Sequence, residues 1–183
     1  VEDFFIDCCE VTIGEYVRFL NAGGHDAFYC IDMENPDFCG IVKTADGKYS
    51  PVPGKEMYPV TLVTAEGAGA FAAWAGKRLP TEYEWEIAAR GAEGRPYPWG
   101  GEAPDSGRAN FYYMVGHPSP VGGYENGKTP EGVYDLCGNV WEMCSDDWNQ
   151  YSWSGASGEP PARGRIIRGG SWATPSQNLS AAY

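Results

Sequence analysis

The side chains most able to do chemistry in this sequence are six cysteines, Cys8, Cys9, Cys30, Cys39, Cys137 and Cys144, and two histidines, His25 and His117. Thiols can form bridges, bind soft metals or act as nucleophiles, and six of them allow about 15 pairings in three bridges. Cys30 with Cys39 closes a short loop and is the preferred pair. Zinc does not fit, because no Cys-x-x-Cys spacing occurs and each histidine stands alone, as surface and core histidines do. The last stretch, "RIIRGGSWATPSQNLSAAY", opens like a buried strand and then turns small and polar. No cysteine lies beyond Cys144 to act there as a nucleophile or ligand.

The elements that must position these groups follow from composition and pattern. A chain of 183 residues with 43% hydrophobic and 21% charged residues is expected to form a single domain over 1–183 with a real core. Its 25 glycines, 14 prolines, 7 tryptophans, 12 tyrosines and 7 phenylalanines indicate a loop-rich fold resting on large rings. A net charge of -12 argues against nucleic acid as a partner, since phosphate binding needs a clustered basic face. No apolar run approaches the roughly 18 residues of a transmembrane segment, and "VEDFFIDCCEV" lacks the pattern of a signal peptide. Compartment is not readable from the chain.

"FFIDCCEV" reads as a strand. Thr12 then opens a helix whose fourth position, Glu15, completes a capping box; Ile13, Tyr16, Val17 and Leu20 face inward, and Gly23-Gly24 ends it. The segment from His25 to Lys55 is an irregular insert in which the Asp46-Gly47 pair of "TADGKY" signals a hairpin turn. "YPVTLVT" is extended. Thr64 caps a second helix, rich in Ala and Gly and stopped by Gly76. Thr81 and Glu84 form another capping box at the head of a third helix, with Trp85, Ala88 and Ala89 inward and Gly91 at its end. Beyond Gly91 short extended pieces alternate with turns. Trp85, Trp99, Trp141 and Trp148 read as core rings, and Asp146 and Asp147 as residues that solvate a loop.

Taken in order, "EVTIGEYVRFLNA", "YPVTLVT", "WAGKRLPTEYEWEIAARG", "YPWG", "GVYDLCGNVWEMCSDDW" and "RIIRGGSW" resemble the formylglycine-generating-enzyme (sulfatase-modifying factor) family. The resemblance spans nearly the whole chain outside the insert. It implies an α+β, C-type-lectin-like fold: two helices on small twisted antiparallel sheets, rich in irregular loops. It also implies that the family's last strand lies beyond Tyr183, so that the domain as given lacks it.

The enzymes of that family hold copper with two cysteine thiolates shortly after the Gly-Gly-Ser segment. The matching positions here are Thr174 and Leu179, neither of which offers the soft ligand that Cu(I) needs. The expectation is therefore no copper, no catalytic residue and no oxidase activity by that route. Another branch of the family, the variable proteins of diversity-generating retroelements, displays a hypervariable C-terminal segment that binds ligand. By that resemblance the variable surface runs from about Ala173 onward and includes Ala173, Thr174, Pro175, Ser176, Ser180 and Tyr183, all residue types that adenine-directed mutagenesis can yield. Arg168, Gly169, Gly170, Ser171 and Trp172 would be its fixed base. Small hydroxyl side chains and tyrosine match the chemistry of antibody-like binding surfaces. The expected partner is a protein or other macromolecule; the alternatives are a formylglycine-generating-type oxidase or inactive relative, and a structural accessory domain.

The resemblance also implies a structural calcium ion in "YDLCGNVWE", held by the side chains of Asp135 and Glu142 and the backbone carbonyls of Gly138 and Val140. Hard oxygen ligands with two carboxylate charges suit calcium. The family's other calcium site does not carry over, since only Asn110 has a match.

Overall fold

The computed structural model describes residues 2–23, 39–147 and 164–181. Helix α1 (Ile13–Asn21) starts where Thr12 accepts from the Glu15 amide and Glu15 reaches back to the Thr12 amide, both halves of the expected capping box. Its inward face is Ile13, Tyr16, Val17, Phe19 and Leu20. Helix α2 (Ala65–Trp74) is capped by the Thr64 hydroxyl on the Gly67 amide, and Gly76, at a φ of 72°, turns the chain away. Helix α3 (Glu82–Arg90) repeats the capping box with Thr81 and Glu84 and ends at Gly91.

Among the described residues, two small antiparallel sheets complete the α+β architecture. Strands β1 (Ile41–Lys43) and β2 (Tyr49–Pro51) form the hairpin around Asp46-Gly47, with Ile41 opposite Pro51 and Lys43 opposite Tyr49. Strands β3 (Glu142–Asp147) and β4 (Arg165–Arg168) pair Glu142 with Arg168 and Met143 with Ile167, with an irregular register before Asp147 meets Arg165.

Among the described residues, three apolar clusters hold these elements. The rings of Tyr16, Phe19 and Phe71 join α1 to α2, with centroids 5.4–5.8 Å apart. The second cluster surrounds Trp85, which is fully buried with Ala89, Leu136, Cys144 and Ile166. The third gathers Ala109, Phe111, Cys137 and Leu179. Burying one such ring or Leu contributes roughly 1.5–3 kcal/mol, so the three clusters carry much of the fold.

The structure corrects several expectations. "FFIDCCEV" forms no strand; it is irregular backbone tied by the Val60 amide to the Val11 carbonyl and the Tyr134 amide to the Cys8 carbonyl, with a single bridge between Thr12 and Pro59. The run has mixed periodicity, with Asp7 on one alternate face and Glu10 on the other, and Phe5, Asp7 and Cys8 are exposed. Trp141 is 39% exposed and not a core ring, whereas Trp99 is half-buried and stacks on Tyr97. Asp146 does more than solvate a loop: its carboxylate accepts from the Glu82 amide at 2.7 Å, pinning β3 to the first turn of α3. An anion at that helix end also meets the positive end of the helix dipole. The Cys30–Cys39 pairing and the readings of His25 and Trp148 lie outside the described residues; Cys39 itself is buried, its thiol donating to the Ile41 carbonyl.

Candidate functional site

The segment 135–142 leaves the Trp85 cluster as a tight loop before entering β3. Two of its residues, Asp135 and Asn139, take left-handed backbone with φ of 58° and 57°, and Gly138 sits at 89°. A Cβ on Gly138 would lie 2.3 Å from the Asn110 carbonyl oxygen, so only glycine fits this close approach. The folding of the loop brings Asp135 and Glu142 into electrostatic contact and places Glu10, from the N-terminal segment, against both.

All three carboxyls resist ionisation. Enclosure by the protein pushes Glu142 up to about 8, with the Asp135 charge adding to it and the Trp85 indole N–H, donating at 3.0 Å, opposing it. Burial likewise raises Glu10, helped by Asp135 and Glu142 and opposed by the Asn139 side-chain amide. Asp135 is raised by burial against the donation from the Gly122 amide at 2.7 Å. Glu10 and Asp135 lie close enough to influence each other's ionisation.

Such a group favours either protons or a cation. Among the described residues, no three His, Cys, Asp or Glu side chains converge in metal-ligating geometry. The expected calcium set is different in kind: two carboxylates plus two main-chain carbonyls. No described group donates to the carbonyl of Gly138 or Val140. Hard oxygen donors with two carboxylate charges are the kind of set that a divalent cation needs.

Asn139 links this loop to the C-terminal segment. Its side-chain oxygen accepts from the Ser119 amide at 2.8 Å, and its amide nitrogen donates to Glu10 at 3.1 Å and to the Ser119 carbonyl at 3.2 Å. Its backbone N–H donates to the Asn110 carbonyl, and its carbonyl accepts from the Trp172 amide, each at 2.8 Å. Next to it, the Gly138 amide donates to the Gly169 carbonyl at 2.9 Å.

The base of the C-terminal segment is therefore fixed. Arg168 is buried, its guanidinium lying over the Trp85 ring at 5.3 Å and donating to the Ala181 carbonyl at 3.1 Å, with Glu82 and Glu86 beside it. A Cβ on Gly169 would meet Trp85 at 3.2 Å, and one on Gly170 would meet Leu179 and Thr174 at 3.2 Å.

Beyond Trp172 the expected display positions diverge. Ser176 is exposed; Ala173, Pro175 and Ser180 are half-buried; Tyr183 lies outside the described residues. Thr174 turns inward, where its hydroxyl accepts from the Ser171 amide at 2.8 Å, so it holds the turn. Leu179 is fully buried in the third cluster. Cys137 packs beside it, but burial pushes that thiol up to about 12, the opposite of what a thiolate ligand needs.

Three features of this region escaped sequence reasoning. Glu10 joins the acidic centre from 125 residues away in sequence, and nothing in "CCEV" marks it. The fivefold use of Asn139 is invisible because turn asparagines are common. The third is the loop of Tyr112, Tyr113, Met114 and Val115, all exposed, with Tyr112 and Tyr113 at φ of 49° and 58°. Left-handed backbone at non-glycine residues costs roughly 1–2 kcal/mol each. The Tyr112 amide donates to the Thr174 carbonyl and the Tyr113 amide to the Trp172 carbonyl, so this loop lies along the C-terminal segment.

Beside the acidic centre lies a cavity of about 800 Å³ between the N-terminal segment, α2 and β3, lined by Glu10, Glu142, Phe71, Trp141 and Trp172 among others. No helix among the described residues is long and apolar enough to cross a membrane.

Comparison with known proteins places this geometry. The model of the sulfatase-modifying factor enzyme 1-like domain matches residues 1–183. The chain is 37% identical over 194 residues to a protein named serine/threonine-protein kinase pkn1 of Chlamydia caviae, covering 100% of this chain and 30% of that protein. It is 32% identical over 212 residues to the formylglycine-generating enzyme of Streptomyces coelicolor, covering 92% of this chain and 67% of the enzyme. In three dimensions it resembles PvdO from Pseudomonas aeruginosa, with a TM-score of 0.60 and 25% identity over 94% of this chain and 75% of that one. The chain thus spans less than a third of the kinase-named relative.

Proposed function

This chain belongs to the sulfatase-modifying factor enzyme 1-like family, and we propose that it serves there as a binding protein whose C-terminal segment, from about Ala173 onward, is the variable face of a retroelement-diversified display protein. The observation that carries this reading is the chemistry at the two positions where the family's oxidases hold copper. Here they are Thr174 and Leu179, both buried, one holding a turn through its hydroxyl and the other filling the core. Neither can supply the soft ligand that Cu(I) favours. The family includes enzymes, formylglycine-generating enzyme among them, so loss of this ligand pair separates fold from activity.

The division of labour within the segment supports the same reading. A face that tolerates replacement cannot also hold the fold, and the residues that hold it, Arg168 through Trp172 with Thr174 and Leu179, are distinct from Ala173, Pro175, Ser176 and Ser180. Substitutions at such partly exposed positions change stability by roughly 0.5 kcal/mol or less. The partner is a protein or other macromolecule.

Calcium is part of the proposal. Asp135, Glu142 and the carbonyls of Gly138 and Val140 would hold it, and Glu10 would add charge nearby. The ion would supply structural neutralisation of enclosed carboxylates, fixing the loop that carries Asn139 and, through Asn139, the Trp172 backbone.

Sequencing the encoding locus tests the display reading. A neighbouring reverse-transcriptase gene with a near-identical repeat differing at adenines is the expected finding; identical codons at positions 173, 176 and 180 across clones of one population would remove it. Conversion of a Cys-x-Pro-x-Arg peptide to formylglycine with added copper would restore the oxidase alternative. An accessory role in a longer protein predicts neither variability nor activity.

A further inference from the structure

We propose that Cys8 and Cys9 form a dithiol site for a trivalent organoarsenical, the two sulfurs holding the arsenic while its apolar group lies in the neighbouring cavity. The site is independent of the display segment.

Both thiols are free; Cys8 is exposed and Cys9 half-buried, whereas Cys39, Cys137 and Cys144 are buried. Extended backbone would send consecutive side chains to opposite faces. Here the chain bends at the pair, and the Cys8 thiol comes close enough to act on the ionisation of Cys9. The backbone on either side is fixed: the Cys8 carbonyl accepts from the Tyr134 amide at 2.8 Å and the Val11 carbonyl from the Val60 amide at 2.9 Å. A Cβ on Gly122 would lie 3.4 Å from the Cys9 sulfur, so glycine keeps that side open.

A bond between the two sulfurs is a poor use of this pair. Bridged cysteines usually have Cα atoms about 4.4–6.8 Å apart, against about 3.8 Å for neighbours across a trans peptide. An inserted atom relieves the mismatch. Two sulfurs each about 2.3 Å from a shared centre, as around zinc, stand well apart, where a disulfide holds them at about 2.05 Å.

Coordination number selects the centre. Among the described residues no three His, Cys, Asp or Glu side chains converge, so an ion that wants four protein ligands is not served. Trivalent arsenic that already carries one carbon substituent needs only two sulfurs. In water its other two positions are hydroxyls. Each thiol replaces one, forming an As–S bond, breaking an As–O bond and passing its proton to the departing hydroxyl, which leaves as water; arsenic stays trivalent, and nothing is oxidised or reduced. Burial, then the Cys8 thiol, then Asp135 and Glu10 push Cys9 up to about 12, so this thiol keeps the proton that the exchange consumes. Exposed Cys8 makes the first bond, and the second closes within one chain at high effective concentration.

The cavity supplies the remaining contact. Cys9 lines it together with Phe4, Ile6, Val133 and Leu136, an apolar wall for the substituent on arsenic.

The test incubates the reduced chain with phenylarsine oxide, follows the adduct by intact mass and challenges it with excess glutathione. One phenylarsenic per chain that survives this monothiol and leaves with dithiothreitol is expected. Cys8→Ser and Cys9→Ser should each hold it roughly a hundredfold more weakly, while Cys30→Ser should match the parent. Methylarsonous acid should bind the parent roughly tenfold more weakly than the phenyl compound, since it leaves the apolar wall uncovered. Thermal unfolding checks the serine variants, and alkylation of the parent adduct gives a readout that needs no variant: Cys8 and Cys9 should be the two shielded thiols. Shielding of any other pair, or retention by either serine variant equal to the parent's, would overturn the proposal. So would equal affinity for methyl and phenyl arsenicals, which would detach the cavity from the site, or displacement of the arsenical by equimolar Cu(I), which would make the pair a soft-metal centre.

Discussion

The acidic centre makes a pH prediction with a definite sign. Glu142 is held at about 8 in the folded chain against an ordinary value of 4.5. A carboxyl raised on folding contributes its full stability below the unfolded value and loses it as pH rises through the folded value, because the unfolded chain ionises first. At roughly 1.4 kcal/mol per pH unit, the interval from 4.5 to about 8 corresponds to an order of 5 kcal/mol. Water entering from the cavity beside Glu142 makes that an upper bound. Glu10 and Asp135 are shifted in the same direction and steepen the fall. The assay is denaturant unfolding in a chelator at steps from pH 5 to pH 9, for the parent and for Glu142→Gln. The variant keeps an acceptor for the Trp85 indole but cannot ionise, so it should show a flatter profile and exceed the parent in stability at pH 8. Saturating calcium should narrow that gap, since an ion at a hundred times its Kd adds about 2.7 kcal/mol to a chain that binds it only when folded. Parent and variant profiles that coincide in chelator would refute the electrostatic reasoning. An equal calcium gain in both would remove Glu142 from the ligand set.

Other substitutions test the frame. Thr81→Ala removes one half of the α3 capping box and should cost about 1 kcal/mol in denaturant unfolding. Leu179→Ala empties a fully buried position and should cost about 2–5 kcal/mol, while Ser176→Ala, exposed three residues earlier, should fall within about 0.5 kcal/mol of the parent. Asn139→Ala strands the Ser119 amide and the Glu10 carboxyl; a melting temperature lowered by several degrees and faster amide exchange at Trp172 are expected, and unchanged exchange there would detach the C-terminal segment from this hub.

Local structure was legible where one short stretch specifies its own hydrogen bonds. Thr12 with Glu15 and Thr81 with Glu84 satisfy each other's helix ends within four residues, and Asp46-Gly47 turns its hairpin without help from elsewhere. The helices could therefore be placed to within a residue or two. What sequence could not supply is convergence. Glu10 reads as the first letter of a helix-start motif, and its role comes from a loop more than a hundred residues away. Trp141 has the composition of a core ring, yet its neighbour Glu142 takes the inward path to Trp85 and leaves Trp141 half outside. Asp146 looks like a loop carboxylate because the helix end it caps, at Glu82, is remote in sequence. The family pattern named Asp135 and Glu142 together, but their shared resistance to ionisation follows from enclosure, a property that only the packed loop possesses.

On the proposed display reading, the boundary between fixed and changeable residues would fall where backbone contact gives way to side-chain freedom, and its position has a physical cause. At Gly169 and Gly170 the main chain passes so close to Trp85, Thr174 and Leu179 that any side chain would have to displace core atoms. At Trp172 the backbone is gripped from both sides, its amide by Asn139 and its carbonyl by Tyr113, while Thr174 closes the turn through its hydroxyl. These contacts hold residues 173, 175 and 176 in place through their neighbours, with no demand on their own side chains. Replacing those side chains changes the face presented and leaves the grip intact. The same grip means that a perturbation of Asn139, whether by protonation of Glu10 or by filling of the Asp135–Glu142 centre, reaches the presented face through two hydrogen bonds. A cation that orders the loop should therefore tighten ligand binding at Ser176 by the factor by which ligand tightens the cation. Because that equality holds whatever carries the coupling, the route is checked in Asn139→Ala, where the factor should fall toward one; an unchanged factor there would show that the two sites are coupled by something other than this loop.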